Sequence, residues 1–443
     1  MKICIIPIDN RPVCYDLFKN ISKIDEDMEL FIPPKEYLGD LNKIADINNL
    51  FLWLEKIPKT DAIVLALDTL AYGGLIPSRR GKESFDEIEQ RIKKLKTILL
   101  QKKSKVYAFS SVMRISNNNC NEEEKLYWDK YGKLIFDYSY NTHKAGCESC
   151  IERMIPDEIL NDYLITRKRN FEINKIYLQW QKEGLFDTLI FSKDDCAEYG
   201  FNVQEANALK KLGGEIITGA DEIPLTLFAK AIKGNVKVRV EFTEPESKYL
   251  ISKYEDISVE QSVHDKLKLC GMNLVEANAD INLVVNNFKN EQGEIVMKVF
   301  TEQFLGKFKM QENTMIADVR NANGADNNFV NTFINSKMPQ NFYGYSAWNT
   351  SSNTLGSLFC AAKVKFLAKK YNDKAFKELQ IIRLLDDWAY QANVRQNLNN
   401  VTEYPNMSEF ENKISKFVEM NFNAKYYYPW NRLFEIGIEV ETH

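Results

Sequence analysis

Short apolar runs alternate with amphipathic segments along the first 235 residues, and this alternation predicts parallel βα units. The run DAIVLAL at 61–67 is apolar throughout, so we expect a central strand covered on both faces. Apolar or alternating runs predict the other strands of this region at 2–8, 28–32, 105–110, 188–191 and 215–218. Amphipathic spacing predicts helices between them at 41–56, 84–102 and 157–183.

The pattern becomes less regular after Gly234, with predicted strands at 236–242, 280–288 and 314–318. The stretch YGYSAWNTSSNTLG at 343–356 places Trp348, Asn349 and Asn353 after a further predicted strand. A helix is predicted around 258–270, and the remaining tail is expected to be helical. The stretch 116–150 is polar and indicates an insertion or a lid.

The expected fold class is α/β, as a distorted or incomplete (β/α)₈-like barrel with a second α/β portion and a helical C-terminal tail. Two doubly wound α/β domains are the alternative, because the pattern does not decide whether the strands after 236 complete a barrel. We expect a parallel βα domain at 1–235, an α/β portion with Asn and Trp loops at 236–356, and a helical region at 357–443.

Carboxylates follow the predicted strands. The strand at 188–191 ends in Asp194 and Asp195, and two adjacent charges at the end of a buried strand need partners or a function. Since the ends of parallel strands share one face, we expect these groups to lie together as catalytic residues: Asp194, Asp195, Asp221 and Glu222. The structural alternative is that Asp194 or Asp195 caps the helix beginning near Val203.

A second set of polar and aromatic side chains follows strands and glycine-rich turns, and we expect it to bind substrate. Trp348 beside amide side chains suits stacking on, and hydrogen bonding to, a sugar-like ring. A structural Asp9–Arg11 ion pair and a buried Trp348 with amide-capped turns are the alternatives. The predicted substrate-binding residues are Asp9, Arg11, Asp68, Tyr72, Arg79, Arg114, Asn321, Asp326, Trp348, Asn349 and Asn353.

Composition excludes several classes of protein. A net charge of −4 over 443 residues argues against a dedicated nucleic-acid binder. No apolar run reaches the roughly 20 residues that span a bilayer, so no membrane association is expected. The N-terminal apolar run is too short for a secretory signal, and eight scattered cysteines favour reduced thiols in a cytoplasm. The partner is therefore expected to be a small-molecule or carbohydrate substrate; the oligomeric state is left open.

The shortage of histidine shapes the expected chemistry. Only His143, His264 and His443 are present, so catalysis is expected to rest on carboxylates rather than on a serine triad. Cys147 and Cys150 form one CxxC pair, which binds zinc only if Cys120 and His143 complete the ligand set. No cofactor is expected, with Mg²⁺ or Mn²⁺ as the alternative.

Several motifs together resemble the bacterial family grouped as domain of unknown function 4127. The resemblance covers nearly the whole chain and rests on IPIDNRPV at 6–13, LALDTLAYGGLIPSR at 65–79, SSVMRIS at 110–116, RKRNFEIN at 167–174, SKDDCAEYG at 192–200, GADEI at 219–223, DVRNANGADN at 318–327, YSAWNTSSNTLG at 345–356 and PWNRLFE at 429–435. The family pattern has a second acidic residue where this chain has Asn10. The resemblance implies that these motifs form one functional unit, and it carries no assigned reaction.

Three functional hypotheses follow. The first is a carboxylate-based hydrolase, with glycosides as the leading substrates and a sugar or amino sugar as the group recognised. By analogy with hexosaminidases that use substrate assistance, Asp194 orients the substrate and Asp195 is the general acid; a conventional scheme pairs Asp195 with Asp221 or Glu222. The second is a Mg²⁺- or Mn²⁺-dependent phosphoryl-transfer enzyme or lyase with Asp9, Asp68, Asp194 and Asp195 as ligands. The third is a carbohydrate-binding protein without catalysis.

Overall fold

Two open, parallel sheets form the framework of the computed structural model, which describes residues 1–147, 150–194 and 196–443. The chain divides into two compact units. The first unit contains Met1–Asn10, Leu30–Pro224 and Tyr254–Asp256, and the second contains Arg11–Glu29, Leu225–Lys253 and Ile257–His443. The division expected from sequence, at 1–235, 236–356 and 357–443, stays a prediction.

The first unit contains a six-stranded sheet in the order β2-β1-β3-β4-β5-β6. The pairs β1–β3, β3–β4, β4–β5 and β5–β6 are parallel. As its apolar sequence predicts, β3 is central and buried along its whole length. The strands are β1 Lys2–Ile6, β2 Glu29–Phe31, β3 Ala62–Ala66, β4 Lys105–Val112, β5 Thr188–Lys193 and β6 Glu215–Thr218.

The second unit contains a five-stranded parallel sheet in the order β13-β11-β9-β7-β8. Its strands are β7 Lys237–Phe242, β8 Asn273–Leu274, β9 Ile281–Asn286, β11 Thr314–Asp318 and β13 Gly344–Ser346. Two short parallel strands, β10 Gly293–Glu294 and β12 Asn321–Ala322, form a separate ladder. An antiparallel hairpin of β14 Phe422–Tyr427 and β15 Gly437–Thr442 lies near the C-terminus.

The two sheets share one strand order. Numbered along the chain within each unit, the first five strands run 2-1-3-4-5 in both, and β6 extends the first sheet. This order is typical of doubly wound α/β folds, in which ligands bind beyond the carboxyl ends of the strands, near the point where the order reverses. That point lies between β1 and β3 in the first unit and between β7 and β9 in the second.

The (β/α)₈-like barrel expected first is not confirmed, because the described residues contain no closed sheet. The strands after residue 236 pair with one another and leave β6 at the edge of the first sheet, so they do not complete a barrel around it. The mixed α/β class, with parallel strands, is confirmed.

The helices connect these strands, and side-chain caps determine several of their ends. The capping box of Ser84 and Glu87 begins the long helix at Phe85–Lys102. Asp46 caps the helix that precedes β3, which therefore starts at Ile47 rather than at residue 41. The α-helices are α1 Asp16–Ser22, α2 Ile47–Lys56, α3 Leu67–Tyr72, α4 Leu75–Arg80, α5 Phe85–Lys102, α6 Trp128–Ala145, α7 Asp157–Lys182, α8 Phe201–Lys211, α9 Ile223–Ala231, α10 Val259–Cys270, α11 Asn327–Asn331, α12 Ser351–Leu367, α13 Asp373–Arg383 and α14 Ser408–Val418. Short 3₁₀ helices lie at Lys35–Tyr37, Cys150–Met154, Pro245–Ser247, Arg395–Asn397 and Pro429–Asn431, and a π-helix spans Leu384–Val394.

The stretch 116–150, predicted as a polar insertion or lid, contains α6 and part of a hydrophobic core. Trp128, Ile135 and Tyr138 of α6 are buried with Met113, Ile155 and other apolar side chains. The stretch is therefore not polar throughout, because apolar residues of α6 are spaced three to four apart among polar ones. Its role as an insertion or a lid stays a prediction.

Candidate functional site

In the first unit, three polar residues predicted from sequence lie at the carboxyl ends of neighbouring strands. Asp68 lies in the first turn of α3, which follows β3 without a loop, and its Oδ2 accepts a hydrogen bond from the backbone N of Ser111 at 2.9 Å. Arg114 follows β4, and its Nη1 lies 3.5 Å from Oδ2 of Asp194, which follows β5. Since β3, β4 and β5 are adjacent and parallel, their ends meet at one edge of the sheet.

Glu123 and Glu124 join these residues into a network that the sequence did not predict. Nε of Arg114 lies 3.0 Å from Glu124 and its Nη2 lies 3.0 Å from Glu123. Nε of Arg79 lies 3.3 Å from the other Glu124 oxygen, so Glu124 lies between two guanidinium groups. The two glutamates were missed because they do not directly follow a strand: the preceding strand, β4, ends at Val112.

Burial shifts the pKa values of acidic groups at this edge. The pKa of Asp68 is raised from 3.8 to about 7, chiefly by burial, which outweighs the hydrogen bonds from Ser111 and the charge of Arg79. Burial, and then the charge of Asp68, also raises the pKa of Tyr72 above its usual range. The guanidinium of Arg169 lies 5.3 Å from the centroid of the Tyr72 ring. The structure therefore brings Asp68, Tyr72 and Arg79 together.

The other predicted residues of the first unit lie on either side of this network. Asp9 is buried after β1, and the hydroxyl of Thr69 donates to the carbonyls of Pro7 and Ile8, which joins the loop after β1 to α3. Asp221 is half-buried after β6. Glu222 is fully buried and accepts a hydrogen bond from the backbone N of Ala220 at 3.1 Å. Asp195 lies outside the described residues.

In the second unit, Arg11 belongs to a group of residues near the C-terminus. Its Nη1 lies 3.1 Å from Oε1 of Glu435, and its guanidinium lies 5.2 Å from the centroid of the Trp430 ring. Arg432 also contacts Glu435, at 3.3 Å, so one buried carboxylate pairs with two guanidinium groups. The sequence suggested nearby Asp9 as the partner of Arg11 and gave no indication of Glu435, which is distant in the chain.

The carboxyl edge of the second sheet carries a buried cluster built from the ends of β9 and β11. Asp318 accepts hydrogen bonds from Nδ2 of Asn286 at 2.8 Å and from the hydroxyl of Tyr345 at 3.1 Å. Its Oδ2 also accepts from the backbone N of Asp326 at 2.8 Å. Asn286 Nδ2 lies 3.3 Å from Oδ2 of Asp326, so a single amide contacts both carboxyl groups.

Arg320 gives this cluster its positive charge. The side chain is 1% exposed, and its Nε lies 3.3 Å from Asp326 and donates to Oδ1 of Asn286 at 3.2 Å. Nη2 lies 2.8 Å from Glu244, which follows β7. Arg320 and Asn286 were missed as site residues, although Arg320 lies two residues after a predicted strand.

The two aspartates of this cluster have different neighbours. The pKa of Asp318 is raised from 3.8 to about 7, first by burial and then by the negative charge of Asp326. Oδ2 of Asp326 lies 3.3 Å from Nε of Arg320. Burial and the neighbouring carboxylate therefore both favour the protonated form of Asp318.

Asp326 and the predicted residue Asn321 line a cavity of about 400 Å³ in the second unit. Amide, carboxyl and aromatic side chains surround it, among them Gln303, Asn327, Asn328 and Phe300. Gln396 also lines it, and its Nε2 is buried without a hydrogen-bond partner in the described part of the chain. A cavity of this size with a few convergent polar groups is typical of a small-molecule site.

Of the other predicted residues of the second unit, Trp348 and Asn353 are buried and Asn349 is half-buried. Trp348 is 6% exposed, with the guanidinium of Arg383 6.0 Å from its ring centroid. Asn349 has a left-handed backbone, and its carbonyl accepts from the backbone N of Asn323 at 2.8 Å. Asn353 lies in the first turn of α12, where its backbone N donates to Thr350. A role for these three in substrate binding stays a prediction.

A second acidic pair, Asp386 and Asp387, lies on the π-helix. Arg383 contacts both, and Asp387 accepts a hydrogen bond from the backbone N of Ala347 at 2.7 Å. Burial raises the pKa of Asp386 to about 7, although Arg383 opposes the shift. π-helices are rare and often mark functional sites. The sequence showed the Asp-Asp-Trp motif but not this helix type.

No group of three or more His, Cys, Asp or Glu side chains with geometry for a metal ion occurs at residues 1–147, 151–194 and 196–443. Two of the predicted ligands lie beyond this test: Asp195, and the side chain of Cys150. None of the helices in the described ranges is both long and apolar enough to cross a membrane.

Comparison with known protein families identifies one match. The family model described as a protein of unknown function, DUF4127, covers residues 3–439. The chain belongs to the DUF4127 family. This confirms the resemblance expected from the motifs. No curated protein and no solved structure matches this DUF4127 protein.

Proposed function

We propose that this DUF4127 protein is a carboxylate-based hydrolase of glycosides and that it acts at the cavity of the second unit. The observation that carries the proposal is the Asp318–Asp326 pair. One member lines the cavity beside an arginine, while the other is buried behind it with a raised pKa. A carboxyl group whose pKa is raised by burial, close to a second carboxyl group, is a recurrent feature of acid–base catalysis.

In this scheme Asp326 is the general base that accepts a proton from the attacking water. Arg320 holds Asp326 in place through the contact between Nε and Oδ2, and Asp318 is a positioning residue that accepts a hydrogen bond from the backbone N of Asp326. Glu302 lines the same cavity and supplies the second carboxyl group, which protonates the leaving oxygen. Amide groups such as that of Asn321 bind the sugar hydroxyls.

The test is hydrolysis of a panel of aryl glycosides and oligosaccharides by wild type and Asp326→Asn, with product measured by chromatography. Loss of a general base lowers the rate by about 10²- to 10⁴-fold. Asp373→Asn is the matched control, because it makes the same change at an exposed residue. Wild-type activity in Asp326→Asn would refute this site. If Asp194→Asn alone abolished activity, the site would lie in the first unit, as the Asp194–Asp195 hypothesis predicts.

We also propose a cytoplasmic location. The described cysteines, apart from Cys150, are free thiols, and several are buried, as in proteins of reducing compartments. Mass spectrometry of alkylated protein from cells tests this: disulfides between these cysteines would contradict it.

A further inference from the structure

A large aromatic side chain stands exposed at the cavity of the second unit. Phe300 is 91% exposed and is one of the residues lining the cavity. Apolar surface left in water lacks the free-energy gain of burial. Phe300 is not isolated, because Met297 and Leu305 of the same segment are also exposed, and a group of exposed apolar side chains is typical of a binding surface.

The backbone around Phe300 is held in place on both sides. Val299 exchanges two backbone hydrogen bonds with Glu294, at 2.8 and 2.9 Å, which closes a tight turn. On the other side, the hydroxyl of Thr301 donates to the carbonyl of Glu291 at 2.6 Å. Phe300 is therefore presented from an anchored turn, and its exposure does not come from a loose backbone.

Neighbouring phenylalanines show that this segment does bury aromatic rings where packing requires it. Phe304 is 8% exposed, its ring centroid lies 5.1 Å from that of Phe329, and Arg320 lies 5.6 Å from it. Phe308 packs against Phe329 at 5.0 Å. Phe300 takes no part in this aromatic cluster among the described contacts.

The cavity lining combines apolar surface with polar groups, and this combination defines the ligand that suits Phe300. Asn321, Asn327, Gln303 and Asp326 offer amide and carboxylate groups, and Gln396 has a buried N–H without a partner. A pyranose ring has polar hydroxyls around its edge and an apolar C–H face. Such a ring is able to satisfy the polar lining with its edge while its face covers an aromatic side chain.

We propose that Phe300 is the platform on which a pyranose ring stacks in this cavity, and that it selects ring sugars over linear polyols and other polar metabolites. The ligand class rests on the proposed function. The binding claim is nevertheless tested separately from hydrolysis, because stacking requires no catalysis.

The test measures binding of methyl pyranosides and of sorbitol by calorimetry and saturation-transfer NMR. It uses the Asp326→Asn background, in which turnover is suppressed. We expect pyranosides but not sorbitol to bind, and Phe300→Ala to weaken binding about tenfold or more, as removal of a buried aromatic contact does. Phe300→Trp should retain binding. The matched control is Leu305→Ala, since Leu305 is 89% exposed on the same segment but lies outside the cavity lining.

Three results would overturn the proposal: no pyranoside of the panel binds, Phe300→Ala binds as tightly as its parent, or Leu305→Ala weakens binding as much as Phe300→Ala. An equal effect of Leu305→Ala would indicate that the whole exposed apolar segment binds a ligand larger than one sugar ring. If pyranosides bind through Phe300 while the wild type hydrolyses none, this inference stands and the hydrolase proposal fails.

Discussion

Arg320→Met is expected to destabilise the second unit strongly. Arg320 is almost fully buried, and its guanidinium lies 2.8 Å from Glu244 and 3.3 Å from Asp326. It also donates to Asn286 at 3.2 Å and to the carbonyl of Glu302 at 2.9 Å. Methionine fills a similar volume but leaves two carboxylates and a carbonyl without this donor. Removing one partner of a buried ion pair costs about 3–5 kcal/mol.

The Arg320→Lys variant tests whether the positive charge alone, or also the planar geometry of the guanidinium, stabilises this cluster. A lysine keeps the positive charge, but its single ammonium cannot span the same four groups. We expect an intermediate loss of about 1–3 kcal/mol, the cost of one or two hydrogen bonds to charged groups.

The assay is native-state hydrogen exchange along a urea series, which resolves the two units separately. Amides of β11 should lose protection in Arg320→Met, whereas those of β3 in the first unit should not and serve as the internal control. A loss below about 1 kcal/mol at β11 would refute the view that Arg320 neutralises this cluster. So would an equal loss at β3, because the contacts used in the argument all lie in the second unit.

Three further predictions concern pH, backbone strain and capping. The folded-state pKa of Asp318 is raised from 3.8 to about 7, so its stabilising contribution is full below about pH 4 and is lost as the pH rises through 7. Urea unfolding at pH 5, 6 and 7 should therefore show the stability gap between wild type and Asp318→Asn narrowing, by at most about 1.4 kcal/mol per pH unit, and a constant gap would contradict this. Gly324→Ala should cost about 1–3 kcal/mol, since Gly324 has φ +142° and a Cβ there would lie 2.8 Å from Ile295 and 3.1 Å from the backbone of Ala392. Both glycine variants are compared by thermal melts. Gly184→Ala, where φ is +83° and the space around the glycine is open, should lose less stability than Gly324→Ala. An equal loss of stability would refute the steric argument. Ser84→Ala should lose about 1 kcal/mol by breaking the capping box of α5, measured by exchange of the first α5 amides, and unchanged exchange would show that the cap contributes little.

The sequence by itself determined where the strands and many helices lie, because apolar runs and helical spacing are local properties. The predicted strands at 215–218 and 314–318 have the same bounds as β6 and β11. The sequence also showed that Asp68 and Asp194 follow apolar strands and that Asp326 lies in the polar loop after the strand at 314–318. It determined the family as well, through motifs spread over the whole chain.

Only the tertiary structure decided how the strands pair and which polar groups meet. Strand order depends on contacts far apart in the chain, so a barrel and two open sheets have the same local pattern. Arg320 meets Glu244, which lies 76 residues earlier, and Arg11 meets Glu435 at a separation of 424 residues. Burial is likewise a property of the whole fold. The raised pKa of Asp318 and the exposure of Phe300 arise from packing around them, which no local pattern specifies.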